Sequence, residues 1–279
     1  MNQSSIIKID VDAVLRERLP RHYRYIPQFI IRWLERTICQ ERLNKLLESN
    51  KGKYDADFCH GVLKDLNISI NAIGYEKLPP KDNRRVVIVS NHPLGGLDGI
   101  ALIDFISNYF GGKIHFIVND LLMAIKPLNG VFLPINKHGK QSRQSFQAIE
   151  EAFAGNDPII IFPAGLVSRR GKNGIIRDLK WQKMFINKCI EYHRDVIPLF
   201  FNGNNSPFFY NFAKLRTQLG IKFNIEMIYL PRELFRCENS TFTISIGSLI
   251  NWQSLQPKNG QSTQDKADEV KQIVYNLTN

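Results

Sequence analysis

The spacing of apolar residues changes several times along this chain, and each change marks an element. Across residues 20–66, Ile26, Phe29, Ile30, Trp33, Leu34 and Ile38, then Leu43, Leu46 and Leu47, recur at three- and four-residue intervals, the period of helices with one apolar face. At Ile68 the period shortens. Ile68, Ile70, Ala72 and Ile73 predict a first strand, closed by the proline-rich loop at residues 76–80. Val86, Val87, Ile88 and Val89 form a continuous β-branched run, the pattern of a strand buried on both faces. Helical spacing returns at Ile100, Leu102, Ile103 and Ile106 and lasts to about Tyr109. Further strands are predicted at residues 114–118, 130–137, 158–162, 196–201 and 242–246. Between them lie a helical or loop stretch through Leu121, Leu122 and Ile125, a helix over residues 142–153, and another carrying Met184, Phe185, Ile186 and Ile190. Pro198 interrupts the run at 196–201, and its missing N–H predicts an edge or irregular position. Residues 253–264 read as a polar linker and 266–277 as a short amphipathic helix that says nothing specific about chemistry.

This alternation predicts an α/β fold: a mixed, largely parallel central sheet flanked by helices and preceded by N-terminal amphipathic helices. Three segments follow: residues 1–66 as a helical addition, 67–252 as the main domain, and 253–279 as linker and helix. A chain of 279 residues is ample for such a core. Charge changes the picture more. With 37 Lys+Arg against 26 Asp+Glu, the formal net charge is +11, which favours an anionic partner such as a membrane surface, a nucleic acid or an acidic carrier protein. No basic patch with stacking aromatics and no nucleic-acid module is recognisable, so nucleic acid is not expected. Arg16, Arg18, Arg21, Arg24, Arg32, Arg36 and Arg42 are interleaved with the N-terminal apolar stripe. Packing on the main domain is the commoner use of such a stripe, a lipid interface the other, and both can hold on different faces. Cys39, Cys59, Cys189 and Cys237 lie far apart without a Cys-x-x-Cys pair, against a zinc site or a disulfide framework and in favour of a reduced setting. Residues 1–12 lack a signal-peptide pattern, and no apolar run reaches transmembrane length.

The chemistry concentrates just after the Val86 run, where Asn91, His92, Pro93, Gly95, Gly96 and Asp98 follow one another. Open α/β sheets bind ligands at such strand ends. A lone histidine is commonly structural, and Asp98 by itself reads equally as a helix cap. The two glycines between them weigh toward a site, because glycine serves where backbone turns sharply or approaches a ligand. On a straight helix His92 and Asp98 fall on different faces, so the glycine pair has to bend the chain if they are to meet. Once they meet, Asp98 fixes one imidazole tautomer and leaves the other nitrogen as a general base, with no covalent nucleophile required. Lys137, Lys140 and Arg143 follow a later strand and suit a phosphate or carboxylate as well as they suit a solvated loop. After the strand at 158–162, Pro163 and Gly165 set a turn, while Ser168, Arg169 and Arg170 offer hydrogen bonds and charge.

Three strand ends at these intervals resemble the family of lysophospholipid and glycerol-phosphate acyltransferases. Asn91-His92 through Asp98 resembles the family's histidine–aspartate block, residues 130–137 its acceptor-binding block, Phe162-Pro163-Ala164-Gly165 its third and Val196-Ile197-Pro198 its fourth. The departures are specific. Five residues rather than four separate His92 from Asp98, Ala164 stands where glutamate is usual, and Lys137 stands near a usual arginine. With the Asn202-Gly203-Asn204-Asn205-Ser206-Pro207-Phe208-Phe209 stretch, these resemble a bacterial, hemolysin-like subgroup that includes O-acyltransferases completing ornithine and glycine lipids. The resemblance implies that His92 takes the proton of a lysolipid hydroxyl as it attacks an acyl carrier protein or coenzyme A thioester, with Asp98 orienting the imidazole. Asn91, Gly95, Gly96, Lys137, Arg143, Pro163, Gly165, Ser168 and Arg169 would then line the substrate, with backbone N–H groups of Gly95, Gly96 and Gly165 as oxyanion candidates. It implies no metal or other cofactor, an anionic membrane partner, and a peripheral location on the cytoplasmic face of an inner membrane. The alternatives are an ordinary lysophosphatidate acyltransferase and a non-catalytic lipid-binding protein. An esterase is disfavoured by the lack of a Gly-x-Ser-x-Gly elbow.

Overall fold

In the computed structural model, which describes residues 8–135, 143–258 and 260–278, four helices precede the first strand: α1 (Val11–Arg18), α2 (Gln28–Thr37), α3 (Gln40–Ser49) and α4 (Asp55–Asp65). The strands are β1 (Ser69–Ile73), β2 (Val86–Ser90), β3 (His115–Asn119), β4 (Phe132–Ile135), β5 (Ile159–Ile161), β6 (Arg169–Arg170), β7 (Ile176–Arg177), β8 (Asp195–Asn202) and β9 (Thr241–Ile246). Among them run α5 (Leu97–Phe110), α6 (Arg143–Ala154), α7 (Met184–Glu191), α8 (Pro207–Gln218) and α9 (Leu230–Arg236), and α10 (Thr263–Tyr275) closes the chain. Seven strands form one sheet in the order β1-β9-β8-β2-β5-β3-β4. All neighbours are parallel except β8 and β9, so the expected mixed, largely parallel sheet is what the chain forms. β6 and β7 make a separate antiparallel hairpin.

The β-branched run has the surroundings its composition demands. Val86, Val87, Ile88 and Val89 are all fully buried, because β2 sits mid-sheet and its alternate side chains feed two apolar layers. Val86 and Ile88 join Leu97, Leu102, Ile106 and the α4 residues Phe58 and Val62 on one face. Val87 and Val89 join Phe153, Trp181, Phe185 and Val274 on the other. β2, β5 and β8 lie side by side and parallel, and therefore deliver Asn91, Phe162 and Gly203 to one rim of the sheet.

Pro198 is not at an edge. It lies in β8 between β2 and β9, and the reason it is tolerated is a bulge. Leu199 pairs with Ile246, whereas Val196 bridges Ile250, so the partner chain carries one extra residue opposite Pro198. At that point the absent N–H leaves no ladder bond unmade, and the Pro198 carbonyl still accepts from Gly247 at 2.9 Å.

A feature without any sequence signal is Arg194, which is fully buried. Its guanidinium donates to the carbonyls of Ala152, Phe153, Gly155, Asp157 and Val86 at 2.7–3.3 Å. It thereby closes the C-terminus of α6 onto the start of β2. Burial, and then the neighbouring Arg85, lower its pKa to about 10, which leaves it charged at neutral pH. Arg194→Met is expected to strand several of these carbonyls and to cost on the order of 3 kcal/mol, read as a lower urea midpoint with an unchanged slope.

Candidate active site

The loop between β2 and α5 brings His92 and Asp98 together. His92 Nδ1 lies 2.9 Å from Asp98 Oδ2, and the same oxygen accepts from the N–H of Leu94 at 2.9 Å and of Gly95 at 3.3 Å. Asp98 Oδ1 accepts from Gly99 N–H at 2.9 Å. Asp98 has no solvent exposure and stands in the first turn of α5, where helix N–H groups favour negative charge. Burial pushes its pKa up, but the His92 charge and hydrogen bond, with the Leu94 and Gly95 N–H groups, outweigh this and hold the carboxyl below its usual range. Because Asp98 is ionised, the Nδ1–H of His92 is the donor, and in the neutral ring Nε2 carries the lone pair. The imidazole side chain retains 14% exposure and stacks on Phe162 with ring centroids 4.0 Å apart.

The turn that allows the contact runs through the two glycines, with the left-handed conformation at the first. Gly95 has φ +87°, and a Cβ there would lie within 2.9 Å of Leu230 and Val167 side chains. Gly96 has φ −132°, with open space around a would-be Cβ. Gly95 supplies the left-handed conformation, and Gly96, with ψ −49°, is neither extended nor helical, so both residues of the pair take part in the turn into α5.

A second layer fixes the His92 backbone. Ser168 N–H donates to the His92 carbonyl at 2.8 Å. The His92 N–H donates to Asp178 Oδ1 at 3.2 Å, and the same oxygen accepts from Ser168 Oγ at 2.5 Å. Asp178 Oδ2 accepts from the Trp181 indole at 2.8 Å, and the Asp178 N–H donates to the Tyr275 hydroxyl at 2.7 Å. α10, read from sequence as chemically silent, therefore reaches the strand end that carries the imidazole. Asn91 is committed to β8: its Nδ2 donates to the Phe201 carbonyl and its Oδ1 accepts from the Phe201 N–H.

With this geometry in place, comparison with known proteins gives a consistent answer. The family model described as Acyltransferase matches residues 13–279. The chain belongs to the acyltransferase family. It is 43% identical over 277 residues to the Lyso-glycine lipid O-acyltransferase of Bacteroides thetaiotaomicron, covering 99% of this chain and 100% of that protein. It is 42% identical to the Lyso-glycine lipid O-acyltransferase of Phocaeicola vulgatus, covering 99% of this chain and 98% of that one. The solved structure of the 1-acyl-sn-glycerophosphate (LPA) acyltransferase PlsC from Thermotoga maritima is similar at a TM-score of 0.45 and 16% identity, over 88% of this chain and 95% of that one.

In this acyltransferase the other expected site residues fall into three groups. Gly95, Gly96, Pro163, Gly165 and Ser168 sit at the rim formed by the ends of β2 and β5. The Gly95 and Gly165 N–H groups already donate, to Asp98 and to the Phe162 carbonyl respectively. Arg169 turns away: its guanidinium meets Val167 and Ser168 carbonyls and the fully buried Glu226 at 2.7 Å. Glu226 is also paired with Arg216 Nε at 2.8 Å. Arg143 opens α6 as an exposed residue beyond edge strand β4, and Lys137 and Lys140 lie outside the described residues. Among the described residues no cluster of His, Cys, Asp and Glu side chains converges as a metal site.

Sequence reasoning passed over Phe162 as the stacking partner of His92, and over Asp178 and Glu226 altogether. Asp178 follows His92 by 86 residues, and no local pattern announces a contact at that separation. Asp178→Ala leaves the His92 N–H and the Trp181 indole without an acceptor, and the Ser168 hydroxyl with only the His92 carbonyl at 3.3 Å. It is expected to destabilise the fold by about 3 kcal/mol, measured by urea denaturation. Asp98 gives a pH signature. Its folded pKa is depressed, so its stabilisation is complete above the ordinary aspartate range and is lost as pH falls through the lower folded value. Wild type should therefore lose stability more steeply than Asp98→Asn in that acid window, and equal slopes would mean that the carboxylate is not held ionised.

Proposed function

We propose that this enzyme transfers a fatty acyl group from an acyl thioester to the hydroxyl of a lyso-glycine lipid, with His92 as general base. The observation that carries the acceptor is full-length similarity at 43% and 42% identity to two lyso-glycine lipid O-acyltransferases. The chemistry rests on the His92–Asp98 pair. With Nδ1 donating to an ionised, fully buried Asp98, Nε2 is the nitrogen that takes the acceptor's proton as the hydroxyl oxygen attacks the thioester carbonyl. The carboxylate keeps the ring in one tautomer and stabilises the imidazolium that forms. The proton then returns to the departing thiolate of the carrier, acyl carrier protein or coenzyme A. Phe162 and the Asp178–Ser168 clamp hold the imidazole and its backbone in place, so little reorganisation accompanies the transfer. The reaction as written calls on no cofactor.

The same reading places the enzyme at an anionic membrane surface, peripherally and on the cytoplasmic face where acyl thioesters are made. No helix among the described residues is long and apolar enough to cross a membrane. α3 packs its Leu43, Leu46 and Leu47 on the main core, whereas Tyr25, Phe29 and Trp33 project from the 3-10 turn before α2 and from α2 itself. Exposed Arg18, Arg21, Arg24 and Arg32 accompany them. A helix with aromatics on one side and arginines around it suits a lipid interface. The helical addition, the acyltransferase domain and the C-terminal helix would then divide the work as membrane contact, chemistry and support.

Purified protein incubated with an acyl carrier protein or coenzyme A thioester and a panel of lysolipids, read by mass spectrometry, tests reaction and acceptor together. The expected product is the doubly acylated glycine lipid; selective acylation of lysophosphatidate would overturn the acceptor assignment. His92→Ala should stay folded and lose roughly 10²–10⁴-fold in turnover, with Asp98→Asn severely but less affected. Wild-type turnover in folded His92→Ala would falsify the general-base role.

A further inference from the structure

The segment after β8 is apolar on two sides. α8 buries Phe209, Tyr210 and Ala213, while Phe208, Phe212, Leu215 and Leu219 follow one another at i, i+4, i+7 and i+11 along a different face. Leu215 is 49% exposed and Leu219 65%. The chain continues in the same manner, with Ile221 and Ile225 exposed and Phe223 at 81%. The rings of Phe208, Phe212 and Tyr229 pack on one another with centroids 4.9–5.9 Å apart, which gives the surface a firm base. Soluble proteins rarely leave so many large apolar side chains together in water.

The charges of this segment have one sign. From Ser206 to Ile225 the charged residues are Lys214, Arg216 and Lys222, with no carboxylate among them. Arg216 turns inward to Glu226, so Lys214 and Lys222 are the exposed cations. Both ends of the segment touch the loop that carries His92. Asn205 Nδ2 donates to the Pro93 carbonyl at 3.1 Å, and Leu230 packs over Gly95 so closely that a Cβ there would lie 2.8 Å from it.

We propose that residues 208–225 form a lipid-insertion surface that seats the enzyme on an anionic bilayer next to its His92 loop. The inference rests on the reading of the acceptor as a membrane-resident lysolipid. Aromatic and aliphatic side chains enter the headgroup–acyl boundary while the two lysines meet anionic headgroups. An acidic carrier protein is the poorer fit, because such a partner is recognised through clustered exposed cations, and here apolar side chains dominate. The surface is separate from the N-terminal aromatic face, and the two meet the rest of the chain at adjoining places: Arg42 of α3 lies over the ring of Phe235 in α9, just beyond the segment.

The test is sedimentation of the full chain with vesicles of phosphatidylcholine, with and without phosphatidylglycerol. The comparison is between wild type, a triple variant Leu215→Ser/Leu219→Ser/Phe223→Ser, and Phe29→Ser/Trp33→Ser in the N-terminal face. All the substituted side chains are half or more exposed or nearly so, and an unchanged melting temperature verifies folding. The triple variant is expected to lose roughly tenfold or more in vesicle partitioning, and wild-type binding is expected to weaken with salt and without phosphatidylglycerol. Acylation of a vesicle-embedded lysolipid should fall with it, while acylation of a short-chain, monomeric lysolipid is retained. Vesicle binding by the triple variant equal to wild type, or lost only in the N-terminal variant, would overturn the proposal. So would a wild-type dimer that the triple variant splits without any change in vesicle binding, or a defect confined to carrier-protein binding. Sedimentation needs no turnover, so failure of the proposed reaction and failure of this surface give separate results.

Discussion

An ionised carboxylate with no solvent contact is the constraint around which this molecule is built. Removing Asp98 from water is costly unless donors replace the water, and the chain supplies them from its own loop: the His92 ring and the N–H groups of Leu94, Gly95 and Gly99. Four donors converge only because the backbone reverses at Gly95 into a conformation that side chains rarely adopt. The close approach of Leu230 and Val167 then fixes the size of that residue as well as its φ. One interaction thus dictates a glycine, a helix start and the packing above the loop.

Around this pair the protein is stiff in one direction and open in another. Behind His92, the Asp178 carboxylate gathers the His92 N–H, the Ser168 hydroxyl and the Trp181 indole, and Tyr275 ties α10 to the same place. Arg169 and Arg216 converge on buried Glu226 beside it. Such networks, when every member is satisfied, hold groups in a single arrangement, which suits the general-base role proposed for His92. Facing outward, the segment from Phe208 to Ile225 and the aromatics of α2 remain exposed and apolar. A firmly held imidazole with greasy surroundings agrees with the proposed transfer to a membrane lipid.

The departures from the usual family pattern acquire physical content here. Within the stretch between His92 and Asp98, Gly95 takes the left-handed conformation and Gly96, at φ −132° and ψ −49°, lies in neither extended nor helical backbone as the chain enters α5. Ala164, in place of a glutamate, is buried in the apolar layer on the sheet face away from Phe162 and contributes packing. Arg169, expected to offer charge to a ligand, balances Glu226 inside the protein, so its positive charge is already met.

Much of the fold is legible in the chain because burial on both faces of a central strand forces a continuous β-branched run, and amphipathic helices carry their period in plain view. The β2 run, the α5 stripe, the strand ends that present His92 and Phe162, and the pairing of His92 with Asp98 all follow from neighbours within a few residues. What the sequence could not reveal depends on residues far apart in it. Whether Pro198 sits at an edge or at a bulge is decided by where β9 leaves the ladder. Whether Arg169 faces a ligand or Glu226 is decided by how the segment after β8 folds back, and whether α10 matters is decided by Asp178 reaching both Tyr275 and the backbone of His92. The sequence by itself determined which chemistry the chain can offer, since local spacing and residue type suffice to place an imidazole and a carboxylate at a strand end. Tertiary structure alone decided which polar groups remain for a substrate, because a buried charge must find its partner wherever the fold brings one within reach.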